Sequence, residues 1–114
     1  MPFLFKKLKV YQNSITFAEE VSNLTEEFRK GTYYLSDQLN RASLSIAANI
    51  AEGNGRVQKA DRSHFFRIAR GSAFECVAVL ELCKRKELIN EEMSIRLKNE
   101  LEEIGKMLTG LIKY

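Results

Sequence analysis

Apolar residues recur at steps of three and four along almost the whole chain, the spacing of one helix face, and the strict alternation of a strand appears nowhere. Four helical segments are predicted. The first covers about residues 5–30, with Leu8, Tyr11, Ile15, Ala18, Val21, Leu24 and Phe28 turned inward. Glu19, Glu20, Glu26, Glu27, Arg29 and Lys30 lie on its wet face, and Gly31 follows as a left-handed stop. The second covers about residues 35–52, starting near Ser36 or Asp37, with Leu35, Leu39, Ala42, Ile46 and Ile50 on one stripe and Gly53 and Gly55 ending it. The third covers about residues 59–86, where Phe66, Ala69, Ala73, Cys76, Leu80 and Cys83 form the cleanest heptad of the chain. The fourth opens on Asn90, an N-cap followed by Glu91 and Glu92, and runs through Met93, Leu97, Leu101, Ile104, Leu108 and Leu111. Short connections make sequential helices antiparallel, so the expected fold is all-α: an up-down-up-down four-helix bundle, one domain over residues 1–114.

The two middle helices are nearly dry all round. Residues 42–51 carry no charge, and residues 71–83 carry only Glu75 and Glu81. A helix that covers a single core keeps one polar face. On the second helix the small residues Ser43, Ala47 and Ala51 stand four apart, a spacing that lets another backbone approach closely. On the third, Ile68, Phe74, Val77, Val79 and Leu82 fall on the flanks and far side of the heptad. The expectation is a second buried surface, most simply contact with copies of the chain, with Ser43, Ala47, Ala51, Phe74 and Val77 at the interface. The alternative is that these residues face the other helices of the same chain.

Composition narrows the class. A hydrophobic content of 45% with 29% charged residues is that of an ordinary globular domain, and the single proline, Pro2, is expected outside every element. No apolar run reaches the roughly 18 to 20 residues of a membrane span, and Lys6, Lys7 and Lys9 interrupt the first ten residues too early for a secretory leader, so a cytoplasmic protein with no membrane partner is expected. Cys76 and Cys83 share a helix face but stand about 10 Å apart, too far for a disulfide or a shared metal, and one histidine cannot complete a metal set; both cysteines read as core residues, with no cofactor.

Charge adds one candidate site. Arg56, Lys59, Arg62, Arg67 and Arg70 face only Asp61 over that stretch, with His64, Phe65 and Phe66 interleaved, a pattern able to hold phosphates. The competing reading pairs Arg67 and Arg70 with Glu52 and Glu75, inside or between subunits. The run from Glu52 to Arg56 lacks the arrangement of a phosphate-binding loop, and neither His64 nor the carboxylates Glu52 and Glu75 stand in a catalytic or metal-bridging pattern, so no catalytic residue is assigned and no enzyme is expected.

The run from Gln38 to Gly53, with Gly55-Arg56 and the run from Phe65 to Glu75, resembles the four-helix bundle family named for intervening sequences of bacterial 23S ribosomal RNA genes. The likeness extends from the opening Phe5-Lys6-Lys7-Leu8-Lys9-Val10-Tyr11 to Ile112, and departs at Ala47, where the family often has proline. Its members are similar to the accessory protein of diversity-generating retroelements. The resemblance implies a toroidal homopentamer whose basic surface engages RNA or DNA and a reverse transcriptase. It also draws attention to Arg41, Asn49, Glu52, Gly53, Arg67, Ser72 and Glu75. Of these, Arg41, Asn49, Glu52, Ser72 and Glu75 are expected to form a buried polar network that fixes register, since polar groups in dry helices need partners. Two functions stay open: nucleic-acid binding through Arg56, Lys59, Arg62, Arg67 and Arg70, or a scaffold for a protein partner such as a reverse transcriptase.

Overall fold

Four α-helices, α1 (Lys9–Thr25), α2 (Tyr33–Asn54), α3 (Lys59–Arg85) and α4 (Glu91–Lys113), pack as antiparallel neighbours, with α4 returning against α1; a 3₁₀ turn, Leu4–Lys7, precedes them. This computed structural model describes residues 3–114, so Pro2 lies outside the described residues, among which there is no strand. The helices share one core, whose fully buried side chains include Phe17 and Val21 of α1, Leu39, Ile46 and Ile50 of α2, Phe66, Cys76 and Leu80 of α3, and Leu97, Ile104 and Leu108 of α4. Among the described residues no helix is long and apolar enough to cross a membrane.

α3 and α4 match expectation closely. All six heptad residues of α3 are buried, and Asn90 caps α4 by accepting from the Met93 N–H at 2.8 Å. α1 departs from it in both extent and phase. The chain breaks at Leu8, whose backbone is extended, so Phe5 is not part of the α-helix. The α-helix ends at Thr25, and i→i−3 bonds from Glu27 and Phe28 continue one tighter turn. Val21 and Phe28 are buried as expected, but the other buried positions are Val10, Ser14, Phe17 and Thr25, each one residue from an expected one, and Ile15 is 41% exposed. The shift is possible because the hydroxyls at those positions are satisfied locally. Ser14 Oγ donates to the Val10 carbonyl at 2.7 Å, and Thr25 Oγ1 donates to the Val21 carbonyl at 2.9 Å and accepts from Asn40 Nδ2 at 2.8 Å.

α2 is longer than expected at both ends. It starts at Tyr33, after Thr32, whose hydroxyl donates to the Arg29 carbonyl at 2.6 Å and leaves the helix without a side-chain cap. Gly31 is left-handed, φ +93°, but it lies in the α1–α2 connection and does not end a helix. At the far end Gly53 is buried inside α2, and only Gly55 stands at the terminus.

Candidate nucleic-acid interface

The α2–α3 corner, residues 55–58, brings the end of one helix to the start of the next. Arg56 leans back over it: its guanidinium lies 4.7 Å from the Phe65 ring centre and 2.7 Å from Glu52 Oε2. Lys59, Arg62 and Arg67 are exposed and make no ion pair among the described residues. Arg70 is half-buried and donates to Thr109 Oγ1 at 3.3 Å. The anticipated pairing of Arg67 and Arg70 with Glu52 and Glu75 does not occur within the chain, because Glu52 is engaged by Arg56 and Glu75 accepts from Gln38 Nε2 at 2.6 Å. The five cations therefore divide. Arg56, Lys59 and Arg62 sit at the bundle end, while Arg67 and Arg70 stand about 7 to 12 Å further along α3.

Sequence reasoning missed what the end gains from the chain's beginning. The 3₁₀ turn packs against α1 and α2, so Phe3 and Phe5 line a cleft of about 480 Å³ with Ala51, Glu52, Gly55 and Arg56. The exposed Lys6, Lys7 and Lys9 thereby join Arg56, Lys59 and Arg62 on one end, opposed there by Glu52 and Asp61. The antiparallel topology itself carried this signal, since it seats the start of α1 beside the end of α2 and the start of α3. His64 lies edge-on to Phe65 at 5.3 Å, and no group of three or more metal-binding side chains occurs among the described residues.

Of the expected polar network, Asn49 and Ser72 come together through Ser45, a residue not singled out from the sequence. Asn49 Nδ2 donates to the Ser45 carbonyl at 2.8 Å and to Ser45 Oγ at 3.1 Å, and the Ser45 and Ser72 hydroxyls lie 2.9 Å apart across α2 and α3. Arg41, Glu52 and Glu75 are exposed in the single chain and stand outside that cluster.

The residues expected between copies also separate. Ser43 and Ala47 are 1% and 2% exposed, so their small side chains serve packing within the chain and are not left over for a second copy; Ala51 is half-buried. Phe74, in contrast, is 67% exposed. It flanks a groove of about 600 Å³ between α3 and α4, walled by Val77, Leu101 and Gly105. The Glu81–Lys98 ion pair, 3.0 Å, bridges the helices toward one end of the groove and the Arg70–Thr109 hydrogen bond toward the other. Ile68 and Leu82 are exposed as well, whereas Val79 packs on the core.

Titration is perturbed elsewhere. Burial pushes the Cys76 thiol up to about 12, helped by the Glu75 charge, and the Cys83 thiol up to about 11. On the α1–α4 seam the Arg96 guanidinium bridges Glu20 and Glu100. Burial raises Glu100 to about 7, reinforced by its hydrogen bond to Glu20 and by the Glu20 charge. Burial would raise Glu20 too, yet hydrogen bonds to Glu100 and Arg96 hold it below the usual carboxylate value.

A family model described as 23S rRNA-intervening sequence protein matches residues 6–110. The chain is also similar to a crystal structure from Bacteroides thetaiotaomicron, described as a protein with unknown function from the S23 ribosomal protein family. The two share 33% identity at a TM-score of 0.85, over 92% of this chain and 99% of that one. No curated protein matches.

Proposed function

The chain belongs to the 23S rRNA-intervening sequence protein family, and from that footing we propose that it is a non-enzymatic, self-associating helical protein that binds RNA or DNA through its cationic end. The observation that supports binding most directly is the exposure of Lys59 and Arg62 without an acidic partner, beside Arg56. Unneutralised cations on a rigid helix end release counterions from a phosphate backbone, and a ring of subunits would repeat them around a rim. The test is oligonucleotide affinity as a function of salt. Affinity is expected to fall steeply, and the log–log slope to shrink by about 2 to 3 when Arg56, Lys59 and Arg62 become alanine. Binding insensitive to salt, or none at low salt, overturns the reading.

Self-association is assigned to the α3–α4 groove, because Phe74 is too large and too exposed to stand alone beside an apolar trough. The proposed assembly is the closed pentamer implied by the family resemblance. Phe74→Glu leaves the core intact and should yield a monomer in light scattering; a wild-type mass equal to one chain refutes the assembly. A scaffold role for a protein partner such as a reverse transcriptase is the second reading, supported by the same groove. One stoichiometric protein retained after nuclease treatment, and lost with Phe74→Glu, is the result that favours it.

A further inference from the structure

Building on the nucleic-acid reading, we propose that the cationic end takes a strand with unpaired bases and stacks them on Phe3 and on the Arg56 guanidinium that Phe65 backs. Phe3 is 68% exposed, a high figure for a phenylalanine in an ordered turn. It is held in place by neighbours: its ring centre lies 5.9 Å from that of Phe5, which meets Tyr11 of α1 edge-on at 4.9 Å. Lys6 Nζ lies 6.0 Å from the Phe3 ring centre. Arg56, which lines the same cleft, covers Phe65, a guanidinium–aromatic pair that presents a flat, cationic surface.

Charge selects the occupant. An apolar protein segment seated on Phe3 would have to strip water from Lys6, Lys7 and Lys9 on one side and from Arg56, Lys59 and Arg62 on the other, which is costly without anionic partners. A nucleic-acid strand brings phosphates for the cations and planar bases for the rings. Duplex bases are already stacked on one another, so an exposed phenylalanine offers them nothing. Unpaired bases gain a stacking partner, and every base has a π-face, so the preference is for single-strandedness and tolerant of sequence.

The test is fluorescence anisotropy of the full chain with three labelled probes of about 12 nucleotides: an oligothymidylate, an abasic oligomer with the same phosphates, and a blunt duplex. The thymidylate is expected to bind about tenfold more tightly than the abasic oligomer. Phe3→Ala, which removes an exposed ring and no core atom, should bring thymidylate affinity most of the way down to the abasic value while leaving abasic and duplex affinity unchanged; Phe65→Ala should remove the smaller remainder. Lys59→Ala should weaken all three. Equal affinity for thymidylate and abasic probes, unmoved by Phe3→Ala, overturns the stacking and leaves the general nucleic-acid reading intact. Failure of all three probes to bind at low salt overturns both.

Discussion

Gly53 of α2 meets Phe66 of α3 so closely that a Cβ at position 53 would lie 2.8 Å from Phe66 Cε1 and 3.1 Å from the Arg62 carbonyl oxygen. A glycine inside a helix ordinarily costs about 1 kcal/mol against alanine. Here the missing methyl is what allows Phe66, the one fully buried phenylalanine of α3, to reach the core. Gly53→Ala is therefore expected to lower unfolding free energy by about 1 to 3 kcal/mol in urea titration, because overpacking exceeds the propensity gain. Gly71→Ala, on the same helix pair with nothing within 4 Å of the added methyl, should raise it by about 0.5 to 1 kcal/mol. Equal effects at the two positions would refute the packing argument.

Glu87 is the one non-glycine described residue with positive φ, 62°. It ends α3 in a Schellman arrangement: the Leu88 N–H donates to the Cys83 carbonyl and the Glu87 N–H to the Lys84 carbonyl, both at 2.9 Å. A left-handed side-chain-bearing residue is strained. Glu87→Gly is expected to stabilise the fold by about 0.5 to 1 kcal/mol, the relieved strain exceeding the added unfolded-state entropy. A loss of melting temperature would count against this assignment.

The Glu20–Arg96–Glu100 bridge makes stability depend on pH near neutrality. Glu100 is raised in the folded chain from 4.5 to about 7, so its protonated form contributes fully below the unfolded value, and that contribution disappears as pH rises through about 7. Glu20 is lowered, and its contribution is lost only on the acid side. Between about pH 5 and 8 unfolding free energy is expected to fall by on the order of 1 kcal/mol, after allowance for solvent at this seam. Glu100→Gln should flatten the profile. An unchanged profile in that variant would place the pH dependence elsewhere.

Cys76 and Cys83 are fully buried, with thiols raised to about 12 and about 11, so neither supplies thiolate in the native state at pH 8. Labelling by a thiol reagent should proceed no faster than global opening and should accelerate in step with destabilisation by Gly53→Ala. Rapid labelling of the folded chain would show a local opening of α3.

Much of this fold is legible in the sequence, and the misses have identifiable causes. The α3 heptad and the Asn90 cap are read directly, because large apolar side chains and an asparagine before two glutamates admit one interpretation. α1 offers two stripes one residue apart. Counting apolar residues favours the stripe through Ile15, whereas the chain buries Ser14 and Thr25, whose hydroxyls bond to their own helix and lose little on burial. Gly53 reads as a helix stop, since nothing in a linear pattern reveals that Phe66 will press on it. The basic cluster from Arg56 to Arg70 is contiguous only in sequence; helix geometry draws it apart and substitutes Lys6, Lys7 and Lys9. Exposure of Phe74 follows from the pattern of α3, but burial of Ser43 and Ala47 depends on how closely α2 meets its neighbours, which only the packed helices determine.

A rod 44 Å long with an excess of positive charge at one tip, while Arg29, Lys30, Lys84, Arg85 and Lys86 at the other are matched by Glu26, Glu27, Glu87, Glu91 and Glu92, is electrically lopsided along its axis. On the nucleic-acid reading proposed above, such a body would be turned by an approaching polyanion before the two touch, so that the cationic tip leads and fewer collisions are wasted. Speed of capture, and its slowing by added electrolyte, would then follow from the direction in which the four rods are strung together.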